Sequence, residues 1–143
     1  MRECIVRAAP PCRCETEQVE SVAHVLVVED DTDVASLLHL VLSSVGHEVD
    51  VAHDGAAGLA AAYASHPDMV ILDWMMPVKT GIEVCSTLRA DPKFAGTRIM
   101  MITARSSPQD ISRAKAAGAD DYFVKPFTPR ELRARVATLL EAS

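Results

Sequence analysis

Hydrophobic and polar positions along this chain alternate between two patterns, short unbroken apolar runs and longer stretches with apolar residues at helical spacing. Val25 to Val28 is a fully apolar run of strand length, and Val34, Leu37, Leu38, Val41, Leu42 and Val45 then repeat along one face of a helix. Gly46 ends that helix, His47 to Ala52 reads as a second strand, and Asp54 caps an alanine-rich helix running to about His66, before Pro67. Met69 to Asp73 is the third strand. After the loop from Trp74 to Gly81, the residues Ile82, Cys85 and Leu88 give a short amphipathic helix. Ile99 to Thr103 is the fourth strand, Ser107 to Ala117 a helix closed by Gly118, and Tyr122 to Val124 the fifth strand. Thr128-Pro129-Arg130-Glu131 combines a capping Thr, Pro at the first helical position and Glu three residues on, so it opens a last helix that buries Leu132, Val136, Leu139 and Leu140.

Five strands alternating with five helices predict a three-layer α/β domain with a parallel sheet and right-handed crossovers. Strands that are apolar throughout are expected where helices cover both faces of the sheet. Residues 1–23 mix charges, Pro10-Pro11 and three cysteines with neither period, and read as a flexible extension ahead of a domain over residues 24–142.

Four of the apolar runs end on residues able to handle a phosphoryl group or its metal. The first runs into Glu29-Asp30-Asp31, the third into Asp73, the fourth into Thr103 and the fifth into Lys125. Ligands bind outside the carboxyl ends of parallel strands, so these endings converge on one crevice. At an effective dielectric of ~20, two carboxylates ~4 Å apart repel by about 4 kcal/mol, so Glu29, Asp30 and Asp73 must either take up a proton or bind a cation. Mg²⁺ suits this short acidic set, because it favours one or two carboxylates, several waters and a substrate phosphate. Asp73 stands alone at its strand end and can act as a nucleophile, giving an acyl phosphate. Lys125 and the Thr103 hydroxyl would stabilise charge on the transferring group. Singly, each residue has a plainer use: Asp31 or Asp33 as a helix cap, Thr103 as a strand former, Lys125 as a solvated turn residue.

Composition narrows the partners. The chain has 143 residues and a net charge of -6, so it lacks the basic balance of a nucleic-acid surface and suits a basic partner better. No apolar stretch reaches the ~20 residues of a membrane helix and no signal-peptide core opens the chain, so a cytoplasmic protein is expected. Cys12 and Cys14 with His24 fall short of the four ligands of a structural zinc site, and Cys85 lies in a helical pattern.

The strings Val-Val-Glu29-Asp30-Asp31, Ile-Leu-Asp73-Trp74-Met75-Met76-Pro77, Met-Ile-Thr103-Ala104 and Gly118-Ala119-Asp120-Asp121-Tyr122-Phe123-Val124-Lys125-Pro126-Phe127 resemble the receiver domain of two-component response regulators, over about His24 to Ala142. The resemblance implies a flavodoxin-like, CheY-like sheet of order 2-1-3-4-5. It implies that Asp73 accepts a phosphoryl group from a sensor histidine kinase or phosphotransfer protein. Mg²⁺ would be held by Asp30, Asp73 and the main-chain carbonyl of Met75, with Glu29 acting through metal-bound water. It further implies that Thr103 and Tyr122 are the switch: Thr103 moves to the phosphoryl oxygen and Tyr122 swings inward, which changes the face formed by the fourth helix, fifth strand and fifth helix for a downstream effector. The Lys125-Pro126 peptide is expected to be cis.

The resemblance also sets expectations at single positions. Met75 and Arg105 flank the phosphoryl position, and a bulky Met75 should hinder attacking water, so Met75→Asn should change the lifetime of the phosphorylated form. Winged-helix transcription factors of this family share an Asp120 to Arg135 pairing and dimerise through the output face, but Lys115 and Arg133 stand here where those proteins carry small or apolar residues. Burying either charge unpaired is costly, which speaks for a monomer or weak dimer and leaves Asp120 and Arg135 to pair within one subunit or stay solvated. Two other readings compete. A phosphohydrolase of the haloacid dehalogenase type needs an acid two residues after its nucleophile, where this chain has Met75. A phosphorylation-independent scaffold would be expected to lack one of the acids, Thr103 or Lys125. The last helix pattern reaches nearly to Ser143, which fits a stand-alone regulator, a phosphorelay intermediate or a piece of a longer protein.

Overall fold

In the computed structural model, which describes residues 23–76 and 79–141, the strands β1 (His24–Val28), β2 (Glu48–Ala52), β3 (Met69–Asp73), β4 (Arg98–Thr103) and β5 (Asp121–Val124) form one parallel sheet in the order 2-1-3-4-5. The helices α1 (Thr32–Ser43), α2 (Gly55–Ser65), α3 (Gly81–Ala90), α4 (Pro108–Ala116) and α5 (Pro129–Glu141) cover it on both sides. None of the described helices is long and apolar enough to cross a membrane.

Strand side chains point alternately to opposite faces, so each continuous apolar strand feeds two separate cores. On one side Val25, Val27, Met69, Ile71, Met100, Ile102 and Phe123 pack with Leu38, Val41 and Leu42 of α1 and with Leu132 and Val136 of α5. On the other, Leu26, Val28, Val70, Leu72, Ile99 and Met101 pack with residues of α2, α3 and α4, including Ala62, Val84, Leu88 and Ala114. Trp74 and Met76 belong to this second layer, and Tyr122 packs against it half-buried.

Helix starts follow local chemistry. Asp31 caps α1 by accepting from the N–H groups of Asp33 at 2.9 Å and Val34 at 3.3 Å, and Asp54 caps α2 through Ala57 N–H at 2.7 Å. The expected box at α5 is present: Thr128 Oγ1 accepts from Glu131 N–H at 3.1 Å and Glu131 Oε1 from Thr128 N–H at 2.9 Å. The same reciprocal pair opens α3 between Thr80 and Glu83, a start signal that the apolar pattern alone passes over.

Two sequence expectations need correction. The apolar spacing puts Leu37 and Val45 on one helix face, yet they are 38% and 47% exposed: α1 turns Ala35, Leu38, Val41 and Leu42 to the sheet, and Val45 lies in the turn past its end. Asp120 does not pair with Arg135. Its carboxylate accepts from Arg89 Nη2 and from the Ile99 N–H, each at 2.8 Å, while Arg135 reaches the neighbouring Asp121 at 2.7 Å. Phe94, fully buried on a short 3₁₀ turn (Pro92–Phe94), belongs to no apolar run yet joins the core. Residues 1–22, with Cys4, Cys12 and Cys14, lie outside the described residues, as do Pro77, Val78, Ala142 and Ser143. His24, the third candidate ligand beside Cys12 and Cys14, has its Nε2 2.6 Å from Asp50 Oδ2.

Candidate phosphoryl-transfer site

The sheet brings its four chemically distinctive endings together at the carboxyl edge. Glu29 follows β1 directly, its N–H donating to the Ala52 carbonyl at the end of β2 at 2.9 Å, which draws its side chain into the interior. Asp30 is exposed beside it. Asp73 closes β3, buried and next to the loop that carries Trp74 and Met75. Carboxylate oxygens of Glu29, Asp30 and Asp73 lie within 4.8 Å of one another. Thr103 ends β4 fully buried, and Lys125 follows β5, its N–H donating to the Thr103 carbonyl at 2.9 Å; the peptide to Pro126 is cis.

Lys125 Nζ lies 3.2 Å from Glu29 Oε1 and 3.7 Å from Asp73 Oδ2. One ammonium therefore serves two buried carboxylates. The imbalance falls on Glu29, whose carboxyl is pushed up to about 7, first by burial and then by the hydrogen bond and charge of Asp73, with Lys125 opposing. A carboxyl held near half-protonation by its neighbours is what an incompletely neutralised acidic cluster produces. Three hard oxygen donors, one of them open to solvent, fit a hard divalent cation with free coordination positions.

The close approach of α3 to the Asp73 main chain depends on Gly81. Its N–H donates to the Trp74 carbonyl at 2.9 Å, and a Cβ there would run into the Asp73 main-chain carbonyl, so α3 can start this close to the acidic residue only with glycine.

Above the site the β4–α4 connection is held by Arg105. Its N–H donates to Thr103 Oγ1 at 3.2 Å, and its carbonyl accepts from the Tyr122 hydroxyl at 2.5 Å. Its guanidinium forks onto Asp110 at 3.2 and 3.3 Å, lies 4.8 Å from the centre of the Trp74 ring and reaches Met75 Sδ at 3.6 Å. That fork holds the Asp110 carboxyl below the usual carboxylate range, and burial pushes the Tyr122 phenol up. Tyr122 sits edge-on to Trp74 at 6.4 Å, and Arg113 of α4 also lies over the indole, at 5.4 Å. Sequence reasoning places Met75 and Arg105 beside the acidic pocket separately; it does not find their mutual contact or the part played by Asp110. The available signal is an aromatic residue next to Asp73 and an arginine two residues after Thr103.

Residues 25–137 match the family model of the response regulator receiver domain. This chain belongs to that family. The receiver domain is 44% identical over 116 residues to the DNA-binding response regulator MtrA of Mycobacterium tuberculosis, covering 81% of this chain and 50% of MtrA. It is 39% identical over 116 residues to the transcriptional regulator RpaA of Synechocystis, covering 81% of this chain and 48% of RpaA. The receiver chain thus spans about half the length of these curated relatives. Among solved structures it resembles the chemotaxis response regulator CheY4 of Vibrio cholerae, at 35% identity and a TM-score of 0.79 over 82% of this chain and 98% of that one. It also resembles the receiver domain of the Pseudomonas aeruginosa sensor kinase PA1611, whose structure has a magnesium ion in its active-site cleft, at 26% identity and a TM-score of 0.77 over 84% and 98% of the two chains. The receiver fold and a role in two-component signalling follow from this membership.

Proposed function

We propose that Asp73 is the phosphoacceptor of this receiver, taking a phosphoryl group from the phosphohistidine of a sensor histidine kinase or phosphotransfer protein. The observation that carries this reading is the meeting of Asp73 with Glu29, Asp30 and Lys125 at one edge of the sheet. An Asp73 carboxylate oxygen attacks phosphorus as the bond from phosphorus to the imidazole nitrogen breaks. The imidazole leaves and takes a proton, and an aspartyl phosphate remains. Lys125, already 3.7 Å from Asp73 Oδ2, transfers from Glu29 to an incoming phosphoryl oxygen as a point charge, and the Thr103 hydroxyl donates to another. Glu29, Asp30, Asp73 and the main-chain carbonyl of Met75 would hold Mg²⁺, Glu29 through bound water. When bound, that ion neutralises the charge gathered on the transferring group.

Phosphorylation then acts on the face made by α4, β5 and α5, through Thr103 and Tyr122, to control an effector protein or domain. MtrA is named as DNA-binding; in a longer protein of that kind this acidic part would govern the DNA contact rather than make it. Met75 stands where an aspartyl-phosphate hydrolase needs its general acid/base, so a long-lived signalling phosphate fits better than rapid turnover.

The test is intact mass after incubation with acetyl phosphate, with and without Mg²⁺, for the wild type and Asp73→Asn. A single phosphoryl adduct that requires both Asp73 and Mg²⁺ is expected. A correctly folded protein that gives no adduct with several donors would instead be a phosphorylation-independent scaffold.

A further inference from the structure

Tyr122 lies inward in this structure: its ring packs on the core layer that holds Trp74, and its hydroxyl is bonded to the Arg105 carbonyl. The anchor of its hydroxyl passes through one residue. The Arg105 main chain holds the hydroxyls of Thr103 and Tyr122, and its side chain is fastened to Asp110 on α4 and to Trp74 and Met75 on the loop after Asp73.

We infer that Arg105 is a clasp, a positioning residue that uses the Trp74 ring and the Asp110 carboxylate to hold the β4–α4 connection where Tyr122 stays inward before phosphorylation. The inference rests on the reading of Thr103 and Tyr122 as the switch pair. A connection fastened at three points has fewer positions open to it, and the carbonyl that receives Tyr122 is fixed with it. The planar guanidinium suits this arrangement, because it can stack on the indole while it forks onto a carboxylate, and a lysine ammonium cannot do both. Arg113 is the internal comparison: it lies over the same ring, but no hydrogen bond joins its main chain to Tyr122 or Thr103. The clasp biases the equilibrium between inward and outward Tyr122, so phosphorylation completes a rearrangement already favoured.

The chain has two tyrosines, Tyr63 and Tyr122, so 3-fluorotyrosine labelling gives two ¹⁹F signals, assigned with Tyr63→Phe. Exposure of each is read from its broadening by a neutral nitroxide. In the unphosphorylated wild type the Tyr122 signal is expected to be shielded and to change little with acetyl phosphate and Mg²⁺. Arg105→Gln should shift the inward-to-outward ratio about tenfold toward outward, the combined loss of a cation–π contact and a surface ion pair. Phosphorylation should then restore much of the shielding. Asp110→Asn should move the signal the same way by less, Arg105→Lys should fall between, and Arg113→Gln should leave it near wild type. Wild-type shielding in both Arg105→Gln and Asp110→Asn would overturn the clasp, and so would an exposed Tyr122 in the unphosphorylated wild type. Mass spectrometry on the same samples separates the two readings. Absence of an Asp73 adduct would sink the proposed function, while a difference between unphosphorylated wild type and Arg105→Gln would still establish the clasp.

Discussion

Glu29 shows how one residue's environment can oppose the fold and serve its chemistry. Its carboxyl titrates near 7 in the folded chain against 4.5 as the ordinary value, so between these pH values the folded state binds more protons than the unfolded state. Stability from this residue is therefore fully present below about pH 4.5 and is lost as pH rises through about 7. In EDTA, urea unfolding should show Glu29→Gln more stable than wild type at pH 8, by on the order of 1–3 kcal/mol, with the gap closing at pH 5. The comparison with Glu29→Gln cancels the opposite slope from His47, whose burial holds its pKa low. A pH-independent gap would show that desolvation does not govern this carboxyl. Met75 is the other residue with a specific expectation. Its sulfur is 3.6 Å from Arg105 and it stands two residues after Asp73, and Met75→Asn should shorten the lifetime of the phosphorylated form several-fold in a dephosphorylation time course. Unchanged rates would remove Met75 from any role in shielding.

At the scale of elements, the two adjacent aspartates before Tyr122 divide the work unequally. Asp120 joins the end of α3 to the starts of β4 and β5 through Arg89 and the Ile99 N–H, whereas Asp121 holds only Arg135 on the surface of α5 and the N–H of Tyr122. Asp120→Ala should cost roughly 2–3 kcal/mol in chemical denaturation, because charged partners and a main-chain donor lose their acceptor. Asp121→Ala should cost under about 1 kcal/mol, as expected for a pair near the surface. Strands, helices and the four site endings were legible in the sequence because apolar runs and capping residues act locally. The partner of Asp120 was not, because Arg89 is 31 positions away and meets it only after α3 and β5 have packed. The exposed side of α1 was also misread. Val34 to Leu42 offers more apolar residues than one helix face can bury, and spacing alone does not say which of them the sheet will take or that the helix ends before Val45. The place of Arg105 two residues after Thr103 along the chain says nothing of Trp74 or Asp110, which it meets only in the folded structure.

Across the whole molecule, Mg²⁺ binding to the folded chain alone should raise the melting temperature with ion concentration, and Asp30→Asn should flatten that dependence. A melting temperature insensitive to Mg²⁺ in the wild type would count against the acidic cluster as a metal site. The sheet separates two cores, and Tyr122 of the proposed switch and Trp74, which Arg105 stacks on, pack on only one of them. Val136→Ala, in the layer under α1 and α5, should lower stability by about 2 kcal/mol through lost methyl burial and leave the Tyr122 signal where it was. A shift of that signal would show that the two cores are coupled. The sheet is then a partition in the evolutionary sense as well: one side can drift to suit a host's temperature while the other is tuned to the strength and duration of a message.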